Sequence, residues 1–340
     1  MARPLKTRLT GGHCPLLNGL VLKGGITPFV RETVNKPCPR VIKAGNWGNY
    51  SERMLERGNG VVCAVSGGVD SVVMLHVLAG MKDEYDLKIV VAHLNHNLRG
   101  RESLRDYNFV KQLSSKLGFK FAGKTLRKGE LAGSGVQDAA RVMRYDFLFK
   151  TAAKYRASKI AVGHTLDDNA ETVLMRFLKG SGLHGLSGIP AQRVGHCPEG
   201  GNTPEGGNTP EEGNTLHRPS SAFRTTIMVI RPLIELKRAD IERFACERSI
   251  RFVTDSSNLS DKYLRNDIRL RLLPIIKKRY NPNIIETLGR ESQILKTDDD
   301  YLTGVAARAL THTVKERKKG VIVLDRLKLV RGSRTRHHHE

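Results

Sequence analysis

From residue 60 to about 190, short β-branched runs alternate with longer amphipathic segments. Val61–Val65 precedes Ser71–Ala79, Lys88–Ala92 precedes Glu102–Leu117, and Lys159–Val162 precedes Asp167–Leu178. The short runs are almost wholly apolar, the pattern of strands buried on both faces, and the longer ones carry helical spacing. This alternation predicts an α/β fold, a doubly wound, mostly parallel sheet with helices on both sides. Ligands of such sheets gather at the carboxyl ends of the strands, where the glycine-rich and acidic motifs of this chain fall.

The pattern also divides the chain. Residues 1–58 mix Pro, Gly, Asn and basic residues without a sustained period and are expected to be a poorly ordered extension. Residues 59–232 are expected to form the α/β domain, interrupted at 198–215 by the hexapeptide Pro-Glu-Gly-Gly-Asn-Thr twice and Pro-Glu-Glu-Gly-Asn-Thr once. Such repeats cannot bury a core and predict an expanded surface loop. Strand-like Thr226–Ile230 resumes the fold. Residues 233–330 read as a smaller helical, basic unit with a strand at Val321–Leu324, and 331–340 as a tail with three consecutive histidines.

Charge sharpens this picture: 57 Lys and Arg against 34 Asp and Glu give a formal net charge of +23, which points to a polyanionic partner. No stretch approaches the ~20 apolar residues of a membrane span, and the N-terminus lacks the apolar centre of a secretory signal. A cytoplasmic protein without a membrane partner is expected. The five cysteines are scattered and contain no Cys-x-x-Cys pair, which argues against a zinc site, a cluster or a redox dithiol. Cys63 lies in an apolar run, where burial is expected.

The chemistry begins at Ser66-Gly67-Gly68-Val69-Asp70-Ser71, directly after one predicted strand and before the apolar helix Val72–Leu78. Backbone amides and the positive end of the helix converge there, a setting that favours phosphate. Two glycines admit close approach, Ser66 and Ser71 add hydroxyl donors, and Asp70 can orient magnesium or water. There is no Gly-Lys-Ser/Thr ending, so this is not the loop of a γ-phosphate-transferring enzyme.

Three further segments lie near strand ends or on helices. His93-Leu-Asn-His-Asn-Leu-Arg99-Gly offers His93 and Arg99 to phosphates or RNA, with a solvated loop as the alternative. Arg141 and Arg144 stand three apart on a helix, suited either to phosphate or to solvent. Gly163-His164-Thr-Leu-Asp167-Asp168-Asn-Ala-Glu171-Thr172 gathers one histidine and three acids after a strand, with Thr165 as helix cap. Acids at a helix start also complement its dipole, which accounts for one carboxylate and not for the set. One acid can hold magnesium, and another can bind or deprotonate an ammonium nucleophile.

Taken in order, these segments, Phe177–Pro190, Arg231-Pro-Leu233, Asp255-Ser-Ser-Asn258 and Arg265-Asn-Asp-Ile-Arg269 resemble the tRNA(Ile)-lysidine synthase family of the PP-loop ATP pyrophosphatase superfamily, over roughly residues 58–285. The resemblance implies ATP-dependent adenylation of the wobble cytidine of a CAU anticodon in tRNA(Ile), then attack by free L-lysine. It implies ATP at Ser66, Gly67, Gly68, Val69, Asp70 and Ser71, supported by His93, Arg141 and His164. Asp70, Asp167, Asp168 and Glu171 would be catalytic, with Mg2+ on Asp70 and Asp168. Arg99, Arg144, Arg265, Asn266 and Arg269 would hold tRNA, and a homodimer is compatible with the family.

The extension, the hexapeptide insertion and the short region after 290 depart from the family pattern. Two other readings stay open: a PP-loop RNA modifier that transfers sulfur, disfavoured by the missing cysteine pairs, and a nucleotide- or RNA-binding module without turnover.

Overall fold

The computed structural model describes residues 54–127, 130, 136–195, 226–253, 264–318 and 321–328. The expectations for residues 1–53, the hexapeptide insertion, Asp255–Asn258 and the tail lie outside these residues. Two compact units are present, one drawn from Met1–Asp168 and Pro190–Ser260, the other from Asn169–Ile189 and Asp261–Glu340. The boundary expected at residue 232 falls inside the first unit.

The first unit is built on six strands: β1 (Gly60–Ala64), β2 (Lys88–Asn95), β3 (Lys120–Thr125), β4 (Lys159–Val162), β5 (Gln192–Gly195) and β6 (Ile227–Ile230). Their order in the sheet is β3-β2-β1-β4-β6-β5. All neighbours are parallel except β5, which runs antiparallel to β6. β1 has β2 on one side and β4 on the other, so the strand order reverses there and a crevice opens at the carboxyl ends of these two strands.

Burial on both faces explains the apolar runs. Val61, Cys63, Ile89, Val91, Ala161 and Ile230 face one core, where α1 (Val69–Gly80), α2 (Arg101–Lys116) and α6 (Arg238–Glu247) contribute Met74, Leu75, Val110, Ile241 and Phe244. Val62, Val90, Ala92, Ile160, Val162 and Val229 face the other, with Leu148, Phe149 and Ala152 of α3 (Val136–Tyr155). Alternate residues of each strand therefore enter opposite cores, as the pleat requires. α1 is apolar nearly all round and buried at eight of its twelve positions, which holds the loop before it against a rigid body. β3 ends an edge with exposed Lys120 and Lys124, a common safeguard against edge pairing.

The second unit takes α4 (Leu166–Leu178) from Asn169 onward, α5 (Leu183–Leu186), α7 (Leu264–Asp267), one wide turn at Ile268–Leu272, α8 (Leu273–Arg279) and the 30-residue α9 (Ile284–Thr313). A hairpin of β7 (Val314–Lys318) and β8 (Val321–Leu324) closes it, and the expected strand at 321–324 is present. Asn169 organises the interior: its Nδ2 donates to Ser292 Oγ at 2.9 Å, and its Oδ1 accepts from the Ile189 amide at 2.7 Å.

Candidate active site

The loop from Ser66 to Ser71 leaves the carboxyl end of β1 at the reversal point of the sheet. Gly67 takes φ +104°, a conformation in which other residues are strained, and its carbonyl accepts from the Val253 amide at 2.9 Å. The Ser71 hydroxyl donates to the Gly68 carbonyl at 2.9 Å and accepts from the Ser66 amide at 3.1 Å. The two serine hydroxyls are 3.1 Å apart. Gly68 occupies the cap of α1 with no side-chain cap bond, so the positive helix end faces the crevice. Val69 and Ser71 are buried in the helix base.

Gly163 explains how β4 comes so close to this loop. A Cβ at that position would lie 3.1 Å from the backbone of Asp70 and Ser71. Only a glycine lets the strand end and the loop touch at their present spacing. His164, next in sequence, is half-buried.

The acids expected to work together hold distinct partners. Asp70 Oδ2 accepts from Arg238 Nη1 at 2.6 Å, and Asp167 Oδ2 accepts from the Arg238 amide at 2.7 Å, so one arginine ties both acids to the head of α6. Asp168 Oδ2 accepts from the Thr165 amide at 2.9 Å and lies 3.1 Å from its hydroxyl, while the Asp168 amide donates back to Thr165 Oγ1 at 3.3 Å. This is a reciprocal cap, the structural role that dipole chemistry allows one acid of the set.

In the second unit, Glu171 is 2% exposed and clamped by two arginines. Arg265 Nε is 2.9 Å and Arg269 Nη2 2.8 Å from its Oε2, with Arg269 Nε 2.5 Å from Oε1. The two arginines expected to meet RNA thus hold a buried carboxylate, with their outer parts reaching solvent. Asn266 is half-buried between them in sequence.

His93 is buried, and its Nδ1 lies 2.7 Å from the Val65 carbonyl. Burial pulls its pKa down, so the ring is neutral, with the proton on Nδ1 donated to Val65, the residue before Ser66. It packs edge-on against Tyr107. The residue steadies the start of the phosphate loop. Arg99 pairs with Asp106 at 3.0 Å, while Arg141 and Arg144 are exposed.

Arg238 and Asn169 carry much of this arrangement and were not singled out from the sequence. Asn169 stood inside a motif already marked as functional, whereas nothing local to Arg238 signals a partner 168 residues away. Cys63 is buried, and burial pushes its thiol up to about 12, which leaves it unreactive. Among the described residues, no group of three or more His, Cys, Asp or Glu could hold a metal ion. Magnesium needs less, since it takes one or two carboxylates and completes its shell with water and phosphate oxygens, and Asp70 in the loop fits that demand.

A strand, a glycine-rich turn and a buried helix at the reversal point of a doubly wound sheet define a phosphate-binding α/β protein. The chain belongs to the PP-loop domain family, whose model matches residues 46–276. It is 33% identical over 275 residues to a tRNA(Ile)-lysidine synthase of Clostridioides difficile (strain 630), covering 80% of this chain and 53% of that protein. It is 35% identical over 262 residues to a protein of the same name from Solibacter usitatus (strain Ellin6076), covering 76% and 51%. The chain spans about half the length of these relatives. In fold it resembles the U34-tRNA thiolase NcsA from Methanococcus maripaludis, with a TM-score of 0.54, 18% identity and 79% of each chain covered.

Proposed function

We propose that this chain is an ATP-dependent, carbon–nitrogen bond-forming ligase that synthesises lysidine in tRNA(Ile). The C2 oxygen of the wobble cytidine in the CAU anticodon attacks the α-phosphate of ATP and releases pyrophosphate. The amine of free L-lysine then attacks C2 and expels AMP, which changes decoding from AUG to AUA. The observation that carries the reading is the match along most of this chain to proteins named for this reaction, with the phosphate loop intact at its centre.

The residues suit the steps. Ser66–Ser71 would hold the triphosphate through backbone amides and hydroxyls, and His93 would keep the loop in register from behind. Asp70, with Asp168 as a second carboxylate, would hold Mg2+, which supplies charge neutralisation on the polyphosphate. Asp167 would receive the lysine ammonium and assist its deprotonation, because only the neutral amine is a nucleophile. A chain of net charge +23 suits a tRNA partner, and an unpaired anticodon base is the kind of target that loops at strand ends can grip. Among the described residues no helix is long and apolar enough to cross a membrane, and the reaction would take place in the cytoplasm.

The test is transfer of radiolabelled lysine to a tRNA(Ile) transcript with a CAU anticodon, with and without ATP, beside a transcript with another wobble base. ATP- and cytidine-dependent labelling is expected. Pyrophosphate release without lysine transfer would replace this reading with another PP-loop reaction.

A further inference from the structure

Tyr145 on α3 is ringed by guanidinium groups. The Cζ atoms of Arg141 and Arg193 lie 5.6 and 5.2 Å from its ring centroid. Arg231, directly after β6 and only 3% exposed, places its guanidinium beside the phenol and donates through Nη1 to the Pro190 carbonyl at 2.5 Å. The Nε atoms of Arg193 and Arg231 are buried and, among the described residues, meet no hydrogen-bond acceptor. Among the described residues, the ionisable groups that bear on Arg231 are Tyr145, which also accepts a hydrogen bond from it, and the cations Arg193 and Arg141, with no carboxylate in the set.

Buried guanidinium groups are ordinarily neutralised by carboxylates. Here positive charge accumulates with unused donors. Burial and the neighbouring arginines pull Arg231 down to about 10, which still leaves it charged at neutral pH. Arginine presents its donors as a planar fork that matches phosphate oxygens, and the Tyr145 hydroxyl adds another donor. The position is separate from the glycine-rich cradle: in the sheet, β4 lies between β1, which carries the cradle, and β6, which carries Arg231.

We propose that Arg193 and Arg231, reinforced by Arg141 and Tyr145, form a second binding site for a phosphate oxyanion, and that an RNA phosphodiester supplies it. The choice of RNA as the source rests on the tRNA reading above. The cradle at Ser66–Ser71 takes the triphosphate, and the Tyr145 cluster fixes the polynucleotide backbone on the other side of β4.

The test uses the full chain with Arg193→Gln and Arg231→Gln. Arg193 is only partly buried, so its variant keeps the question open should loss of Arg231 prevent folding. Thermal unfolding in sodium phosphate and in sodium chloride of equal ionic strength reads the site without RNA. Phosphate is expected to raise the wild-type midpoint above the chloride value by more than it raises that of the variants, which keep the general effect of phosphate and the cradle at Ser66–Ser71. Affinity for the tRNA transcript across a salt series reads the source. Each variant should bind more weakly, with the slope of log affinity against log salt reduced by about 0.7–0.9 for one lost phosphate contact. A phosphate effect equal in wild type and folded variants overturns the site, and an unchanged salt slope overturns RNA as its source. Wild type that shows the phosphate effect yet binds no tRNA overturns the tRNA reading and the RNA source with it, and leaves the oxyanion site standing.

Discussion

Asp70, in the glycine-rich loop, and Arg238, at the head of α6, are joined by a hydrogen bond of 2.6 Å across 168 residues of sequence. The Arg238 amide holds Asp167 as well, so one residue sets the positions of two acids of the proposed chemistry. Arg238 is 42% exposed and Asp70 22%, so the pair contributes little to stability, under about 1 kcal/mol. Its value lies in orientation. Arg238→Gln is expected to lower ATP-dependent pyrophosphate release by about 10- to 100-fold, the equivalent of one charged hydrogen bond, with an unfolding midpoint close to wild type. Unchanged turnover would show that the carboxylates hold their places without it.

Gly163 sets the distance between β4 and the phosphate loop, and a methyl group there would press on backbone rather than on a side chain that can swing aside. Gly163→Ala is expected to push the loop by a few tenths of an ångström and weaken ATP binding severalfold while the core stays packed. Nucleotide titration of the variant against wild type checks this. Equal affinities would mean that the loop tolerates the shift.

The parallel strands β1, β2 and β4 were legible because burial on both faces demands continuous apolar runs, and Val61–Val65, Lys88–Ala92 and Lys159–Val162 supply them. β3 and β5 were not, because edge strands carry polar residues and glycine, as in Lys120–Thr125 and Gln192–Gly195, and leave no periodic signal. The same divide runs through the site. The proposed phosphate loop is contiguous, six residues at the end of one strand. The pairing of Asp70 with Arg238, of Glu171 with Arg265 and Arg269, and of Tyr145 with Arg193 depends on contacts distant in sequence that no local spacing encodes.

Glu171 is buried and held by two arginines whose side chains still reach solvent. Removal of the acid takes away the charged acceptor that both guanidinium groups share. Glu171→Ala is expected to destabilise the fold by about 1–3 kcal/mol, since the arginines that remain keep access to water. In a chain of this size that lowers the unfolding midpoint by several degrees, which calorimetry would register. A full-stability variant that has lost lysine transfer would instead assign Glu171 to the reaction itself.

The histidines of the first unit give the fold a dependence on acid. His76 is held down to about 4, by burial first and by Arg248 second, and His96 to about 4 by burial, Arg144 and His93. His93 is lowered by burial as well. Each folded-state value lies below that of the unfolded chain, so above pH 6.5 both states are neutral and these groups contribute nothing to pH dependence. As pH falls below 6.5 the unfolded chain takes up protons that the folded one refuses, and stability is lost until His76 and His96 protonate in the folded state near pH 4. The expected slope is up to about 1.4 kcal/mol per pH unit for each histidine. Urea unfolding at pH 8.5, 7.5, 6 and 5 measures it, and His76→Gln should remove one histidine's share between pH 6 and 5 while leaving the stability difference between pH 8.5 and 7.5 unchanged. A variant with the wild-type slope would place the acid sensitivity in other groups.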